Sequence, residues 1–151
     1  VSADVLTVSQ REFLNHQRVA RLATLGNEGY PEAVPICFAC VEGVIYTPID
    51  EKPKSVPPAS LRRVRNILAR PEVCVVWDHY EEDWKRLAWL QVTGRASLVE
   101  DRDERARALN ALRGRYPQYR EMDLESRPLI KITPVGVRSW SGAPPLTNDG
   151  C

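Results

Sequence analysis

Residues 19–49 read VARLATLGNEGYPEAVPICFACVEGVIYTPI, and their pattern of alternation and turns decides the fold class. Over 19–25 apolar residues alternate with polar or small ones, the period of a half-buried strand. Gly26-Asn27-Glu28-Gly29 then supplies a turn before the apolar run 33–41. Glu42-Gly43 is a two-residue turn of the hairpin kind, so a third strand over 44–49 folds straight back on the second. Three strands in a meander predict an antiparallel sheet.

Working outward, Ser9 with Glu12 three residues on has the spacing of a capping box and predicts a short helix over 9–17. The stretch 50–58, DEKPKSVPP, holds three prolines and no periodicity, so it reads as a loop. Ser60 can cap a helix running to 69, with Leu61, Val64, Ile67 and Leu68 on one side and Arg62, Arg63, Asn66 and Arg70 on the other. Pro71 stops it, 73–77 reads as a buried strand, and 87–99 as a long strand with a bulge or bend at Gly94. Asp101 with Glu104 opens a third helix reaching about 114, 129–132 and 135–140 read as a final pair of short strands, and 142–151 reads as a fraying tail. The expectation is one domain over 1–151, mainly β with α: a six-stranded antiparallel barrel with about three helices packed outside it.

At 151 residues the chain suits a single core, and 43% apolar with 27% charged residues excludes collagen-like, disordered and membrane-spanning classes. A formal net charge of +1 argues against a surface built wholly for nucleic acid or anionic lipid. No apolar run approaches a membrane span, and Cys37, Cys40, Cys74 and Cys151 lack the spacing of a secreted disulfide framework, so a cytoplasmic protein is expected.

The charge is unevenly spread. Residues 51–70 hold six basic side chains (Lys52, Lys54, Arg62, Arg63, Arg65 and Arg70) against the single acid Glu51. The lysines lie on a loop that feeds a helix N-terminus at Ser60, where free backbone N–H groups favour a phosphate, and arginine offers a bidentate grip on phosphate or carboxylate. The competing reading is the solvated face of an amphipathic helix. Cys37-Phe38-Ala39-Cys40 has no second pair and no histidine at metal spacing, so the two read as small buried hydrophobes. The acidic stretch 78–83 reads as a solvated loop able to face a basic helix of a partner. Phosphate-binding glycine loops, zinc-protease and nucleophile-elbow motifs are absent from the sequence. Trp77 reads as core, whereas Trp84, Trp89 and Trp140 leave large flat faces suited to a planar ring.

The ATL-turn-PEAVP hairpin, the R-N-I-x-x-x-P element at 65–71, the DHYEEDW stretch at 78–84 and VRSWSG at 137–142 together resemble the flavin-binding split β-barrel superfamily typified by pyridoxamine 5′-phosphate oxidase. Within it the chain is most similar to the actinobacterial oxidoreductases dependent on the deazaflavin coenzyme F420. The resemblance implies a homodimer with the cofactor in the groove between subunits. It places the phosphate on Lys52, Lys54, Arg62 and Arg63, with Ser60 and Asn66 on the same helix. Val34, Pro35, Ile36 and Thr47 would contact the ring, which Trp89 and Trp140 would cover. The inserted KPKSVPPAS leaves either the lysine or the arginine pair as the main phosphate contact.

The expected function is therefore hydride transfer between coenzyme F420 and an unsaturated small molecule, with no side chain identified as a catalytic acid or base and no metal. Alternatives are an FMN-dependent oxidoreductase of the same fold and a non-catalytic carrier of a cofactor or haem. Neither nucleic acid nor membrane is expected as a partner.

Overall fold

The apolar run at 33–41, expected as one strand, is broken in two, and the break shapes the whole sheet. The computed structural model describes residues 5–50, 57 and 61–143. In chain order these form α1 (Val8–His16), β1 (Ala20–Leu25), β2 (Pro31–Ile36), β3 (Ala39–Val41), β4 (Val44–Pro48), α2 (Arg62–Ala69), β5 (Glu72–His79), β6 (Ala88–Leu98), α3 (Arg102–Arg115) and β7 (Leu129–Ser141). All seven strands join one antiparallel sheet in the order β2-β1-β5-β6-β7-β4-β3. Its two end strands are consecutive in sequence, separated only by Cys37-Phe38, and two residues span under about 10 Å. The sheet must curl until its ends meet, which is the split-barrel closure expected, with a seventh strand supplied by the bend.

The bend keeps its backbone groups satisfied through α3. Tyr116, just after that helix, accepts at its hydroxyl from the Phe38 N–H at 3.1 Å and donates to the Arg18 carbonyl at 2.9 Å. Arg115 lies over the Phe38 ring at 4.6 Å and donates to the Asn15 and Gln17 carbonyls, closing the C-terminal end of α1. The cap of α1 is Thr7 rather than Ser9: its hydroxyl accepts from the Gln10 N–H while the Gln10 side chain accepts from the Thr7 N–H. At β3–β4 the two-residue turn is as expected, with positive φ at Glu42 (52°) and Gly43 (81°).

The final strands are one. β7 runs unbroken through Thr133-Pro134, and the register with β6 shifts beside Gly94, which pairs with Pro134 while Thr93 pairs with Gly136. The extra residue, Val135, reverses the side-chain alternation: Ile130 and Ile132 face the barrel interior, but beyond the bulge the even-numbered Gly136, Arg138 and Trp140 face out. A Cβ on Gly94 would stand 2.6 Å from the Thr133 carbonyl oxygen. Gly94→Ala is thus expected to cost about 1–3 kcal/mol by overpacking, measured as a lowered urea midpoint.

Two apolar clusters hold the fold. The barrel interior gathers Leu22, Ile36, Phe38, Ile45, Val64, Ile67, Val75, Trp77, Leu90, Val92, Ile130 and Ile132. The second lies between α3 and the opposite face of β3–β4, with Ala39, Tyr46, Leu109, Leu112, Tyr116, Tyr119 and Leu129. α3 begins where expected, with Asp101 accepting from the Glu104 N–H at 2.8 Å.

Glu104 then pins this helix to the sheet, accepting from the Tyr46 hydroxyl and pairing with Lys131, each at 2.7 Å. The Lys131 and Tyr46 bonds hold the Glu104 carboxyl below its ordinary value, while burial and that carboxylate push the Tyr46 phenol up. A carboxyl with a depressed folded-state pKa stabilises above its unfolded pKa, and the gain is lost as pH falls through the folded value. Glu104→Gln should therefore cost about 1 kcal/mol at neutral pH, and its stability difference from the parent should shrink when unfolding is measured toward pH 3.

Candidate functional site

The helix that carries the arginines is amphipathic, but its charged residues divide into two groups rather than one face. α2 inserts Val64 and Ile67 into the barrel core and is placed over the β1–β2 hairpin by Asn66. The Asn66 side chain is buried and donates to the Thr24 hydroxyl at 2.9 Å and the Glu32 carboxylate at 3.3 Å. The sequence placed it among outward residues; its hydrogen bonds turn it inward, while Leu68, expected on the apolar side, is 64% exposed.

Arg62 and Arg65 flank a cleft of about 530 Å3 whose other walls are Gly26, Asn27, Glu28, Tyr30 and Glu32. Arg62 is largely exposed and stands 3.5 Å from Glu32. Arg63 turns the other way. It is half-buried toward the end of β4, and burial pulls its guanidinium below the ordinary value against the opposing pull of the Asp50 carboxylate. Asp50 is itself buried and accepts from the buried Tyr119 hydroxyl at 3.1 Å. Burial and a hydrogen bond to Cys37 push that phenol up. The Arg63 Nε is buried with no hydrogen-bond partner, a desolvated donor beside a paired carboxylate.

Of the expected ring contacts, Val34 packs against the barrel core and Ile36 is buried in it. Pro35 is exposed on the opposite face of β2, across from Arg21. Thr47 is buried on β4, one position either side of Tyr46 and Pro48 and in register with Ile130. The bend at Cys37-Phe38 brings the end of β2 to this part of β4, because Ala39 already pairs with Tyr46. Lys52, Lys54 and Ser60 lie outside the described residues, as does most of the loop expected at 50–58. The first described cap of α2 is Leu61, which makes no side-chain capping bond.

Trp77 is core, fully buried with its ring edge-on to Phe38 at 5.5 Å. Trp89 and Trp140 are direct cross-strand partners on the outer face of the sheet, half-buried and 47% exposed respectively. Trp89 pairs with Asp78, and Asp78 pairs with Arg21 at 2.8 Å. From Trp89 to Arg95, where β6 faces the start of β5, is six residues, roughly 20 Å along a strand. One chain therefore holds the arginines of α2 and Thr47 toward one end of the sheet and the tryptophan pair at the other, with Val34 midway and Ile36, one position beyond the Pro35–Arg21–Val76–Gln91 row, toward the tryptophans. Between the two ends the outer face carries small or flat residues, Ala23, Ala33, Cys74, Val76 and Thr93, and no described helix packs on it.

Sequence reading counted Arg65 in the basic cluster without giving it a place in the site, and it missed Glu32 and the Asp50–Tyr119 pair. The i, i+3 spacing of Arg62 and Arg65 was a signal for the first; nothing local in the sequence joins Asp50 to Tyr119. Among the described residues no group of His, Cys, Asp and Glu is arranged to hold a metal ion, and no helix is long and apolar enough to cross a membrane.

Solved structures with this fold bind different things. The chain is similar to a conserved hypothetical protein from Mycobacterium tuberculosis (21% identity, 93% of this chain and 89% of that one, TM-score 0.75). It is similar to the haem storage protein HutZ from Vibrio cholerae (20% identity, 85% and 89%, TM-score 0.65). A third is an FAD-binding protein from Mesorhizobium loti (21% identity, 89% and 94%, TM-score 0.64). At these identities the likeness is one of fold, and no curated protein matches the sequence. The family model described as pyridoxamine 5′-phosphate oxidase matches residues 6–141, nearly the whole curled sheet and its helices, so the chain belongs to that family.

Proposed function

We propose that this protein is a homodimeric, cytoplasmic oxidoreductase that binds coenzyme F420 between two copies of the chain and serves hydride transfer with an unsaturated small molecule. The observation that carries the reading is Arg63. A half-buried guanidinium with an unpaired buried Nε is a poor solvated surface group and a good anion ligand, because desolvation strengthens a charge-assisted bond. Lys52, Lys54 and Arg62 would add to the same positive field, which a phosphate with a further acidic tail would use more fully than a single phosphate.

The layout of the sheet supports the dimer. Arginines and tryptophan pair lie at opposite ends of one chain, and a two-fold axis across the uncovered small-residue face would set the tryptophans of each copy beside the arginines of the other. When bound, the coenzyme supplies the hydride chemistry at its ring centre. The chain's part is to anchor the phosphate through the basic cluster and to orient the ring against Val34, Ile36 and Thr47. Trp89 and Trp140 exclude water.

A second reading, a haem carrier, is supported by the likeness to a haem storage protein. FMN in place of F420 keeps the enzyme class and the fold. Size-exclusion chromatography of the purified protein after incubation with F420, FMN or haemin, recorded by absorbance, separates them. The proposal expects F420 absorbance co-eluting at dimer mass. Haemin retained in its place supports the carrier, and a monomer retaining none of the three overturns the proposal.

A further inference from the structure

The bulge beside Gly94 has a consequence for the outer face of the sheet. By turning the end of β7 over, it places Arg138 on the same side as Trp140, two residues away, and opposite Gln91, which is itself two residues from Trp89. The four side chains make two adjacent cross-strand pairs, Trp89–Trp140 and Gln91–Arg138. At sheet spacing the diagonal neighbours Trp89 and Arg138 stand about 7–8 Å apart, within reach of a long side chain. Arg138 is exposed, and its guanidinium has no hydrogen-bond or ion-pair partner among the described residues. Gln91 turns its amide to the Cys74 sulfur at 3.1 Å, away from it.

We propose that Arg138 is a specificity-determining residue that selects a planar ring carrying negative charge over a neutral one, and so favours the deazaflavin over FMN. This rests on the cofactor reading above. The deazaflavin ring bears an acidic hydroxyl that is ionised near neutral pH, with the charge spread through the ring; the ring of FMN stays neutral there. A flat indole pair gives either ring a stacking surface, but a guanidinium beside that surface distinguishes them by charge.

The other charges around this surface do not supply the same field. Asp78 on β5 stands next to Trp89 but is neutralised by Arg21 of β1 at 2.8 Å. His79 at the end of β5 and Arg86 of the β5–β6 connection both engage Glu81, at 2.6 and 3.6 Å. Lys85, Glu82 and Asp83 of that connection are exposed, and β6 adds the uncharged Gln91 and Thr93 to the face before Arg95, which is paired with Glu72 at 3.0 Å at the far end. Among the described residues Arg138 is the cation without a counter-charge that stands on the same face of the sheet in direct cross-strand register with the tryptophan pair; Lys85, also without an ion pair, lies on the β5–β6 connection and outside that register.

The test compares the parent protein with Arg138→Gln and Arg138→Lys. Each is titrated with F420 and with FMN by tryptophan fluorescence, and the visible absorbance of bound F420 is followed from pH 5 to 8. A nearby cation favours the ionised ring, so in the parent the bound ring should ionise about one unit below the free coenzyme. Arg138→Gln should return it toward the free value, with about tenfold weaker F420 binding and unchanged FMN binding. Arg138→Lys should keep most of the shift. Arg138 is exposed, so all three should melt together, and should Arg138→Gln melt below the parent, Arg138→Met takes its place in the comparison with the same expected and overturning results. Bound rings that ionise alike in parent and Arg138→Gln, or equal losses for F420 and FMN, overturn the assignment while leaving the cofactor reading standing. A parent that binds FMN but not F420, or neither, overturns both.

Discussion

Trp77→Ala should destabilise the protein by about 3–5 kcal/mol, the usual cost of emptying a large aromatic site in a packed interior. Trp77 is the largest fully buried side chain among the described residues, projecting from β5 into the barrel with Phe38 of the bend edge-on against it. The cavity would open where the bend joins β2 to β3, so the loss acts on barrel closure as well as on contacts. Urea unfolding followed by circular dichroism measures it, as a lowered midpoint at constant slope. Trp77→Phe should cost much less, because the indole Nε1 is buried without a hydrogen-bond partner and deleting it strands no acceptor. Equal losses for the two variants would show that the indole N–H, rather than ring volume, holds this part of the core.

The second large effect is on binding. Arg63→Ala should weaken the cofactor about 10–100-fold, the equivalent of one charge-assisted hydrogen bond of about 1.5–3 kcal/mol. Arg62→Ala should cost less, since Arg62 is 76% exposed and a screened charge contributes little. Removing Arg63 also removes a positive charge that faces the buried Asp50, so stability must be measured alongside affinity. Arg63→Lys separates the two: it retains the charge facing Asp50 and loses the guanidinium fork, and so should restore stability more fully than affinity.

Most of the architecture was legible because turn and cap chemistry is local. Glu42-Gly43 requires positive φ and defines a hairpin, and Asp101 with Glu104 marks the start of α3 before any packing is known. The bend at Cys37-Phe38 was not legible, since a continuous apolar run gives no sign that its two halves pair at opposite ends of a sheet. What satisfies the bend is the Tyr116 hydroxyl, 78 residues away from Phe38 in sequence. The bulge on β7 left a trace, the break in alternation at Pro134-Val135, which reads equally as a gap between two strands.

For the candidate site the sequence located the charge and not its direction. A helical projection places Arg62, Arg63 and Asn66 together on the outward side of α2. Tertiary partners divide them: Thr24 and Glu32 draw Asn66 in, the cleft holds Arg62 with Arg65, and the Asp50–Tyr119 pair holds the far side on which Arg63 lies. The pairing of Trp89 with Trp140 needed the register of β6 and β7, and that register depends on the bulge.

The proposed function makes Arg63, half-buried toward the end of β4, the anchor for the phosphate of a flavin-type cofactor. It is tested most directly by titrating parent and Arg63→Ala with F420 and FMN while following tryptophan fluorescence at low and at moderate salt. The expected result is saturable quenching in the parent by F420, more weakly by FMN, with the affinity for F420 falling about 10–100-fold in Arg63→Ala and falling with salt in the parent. Saturable binding that is indifferent to both Arg63 and salt would contradict it.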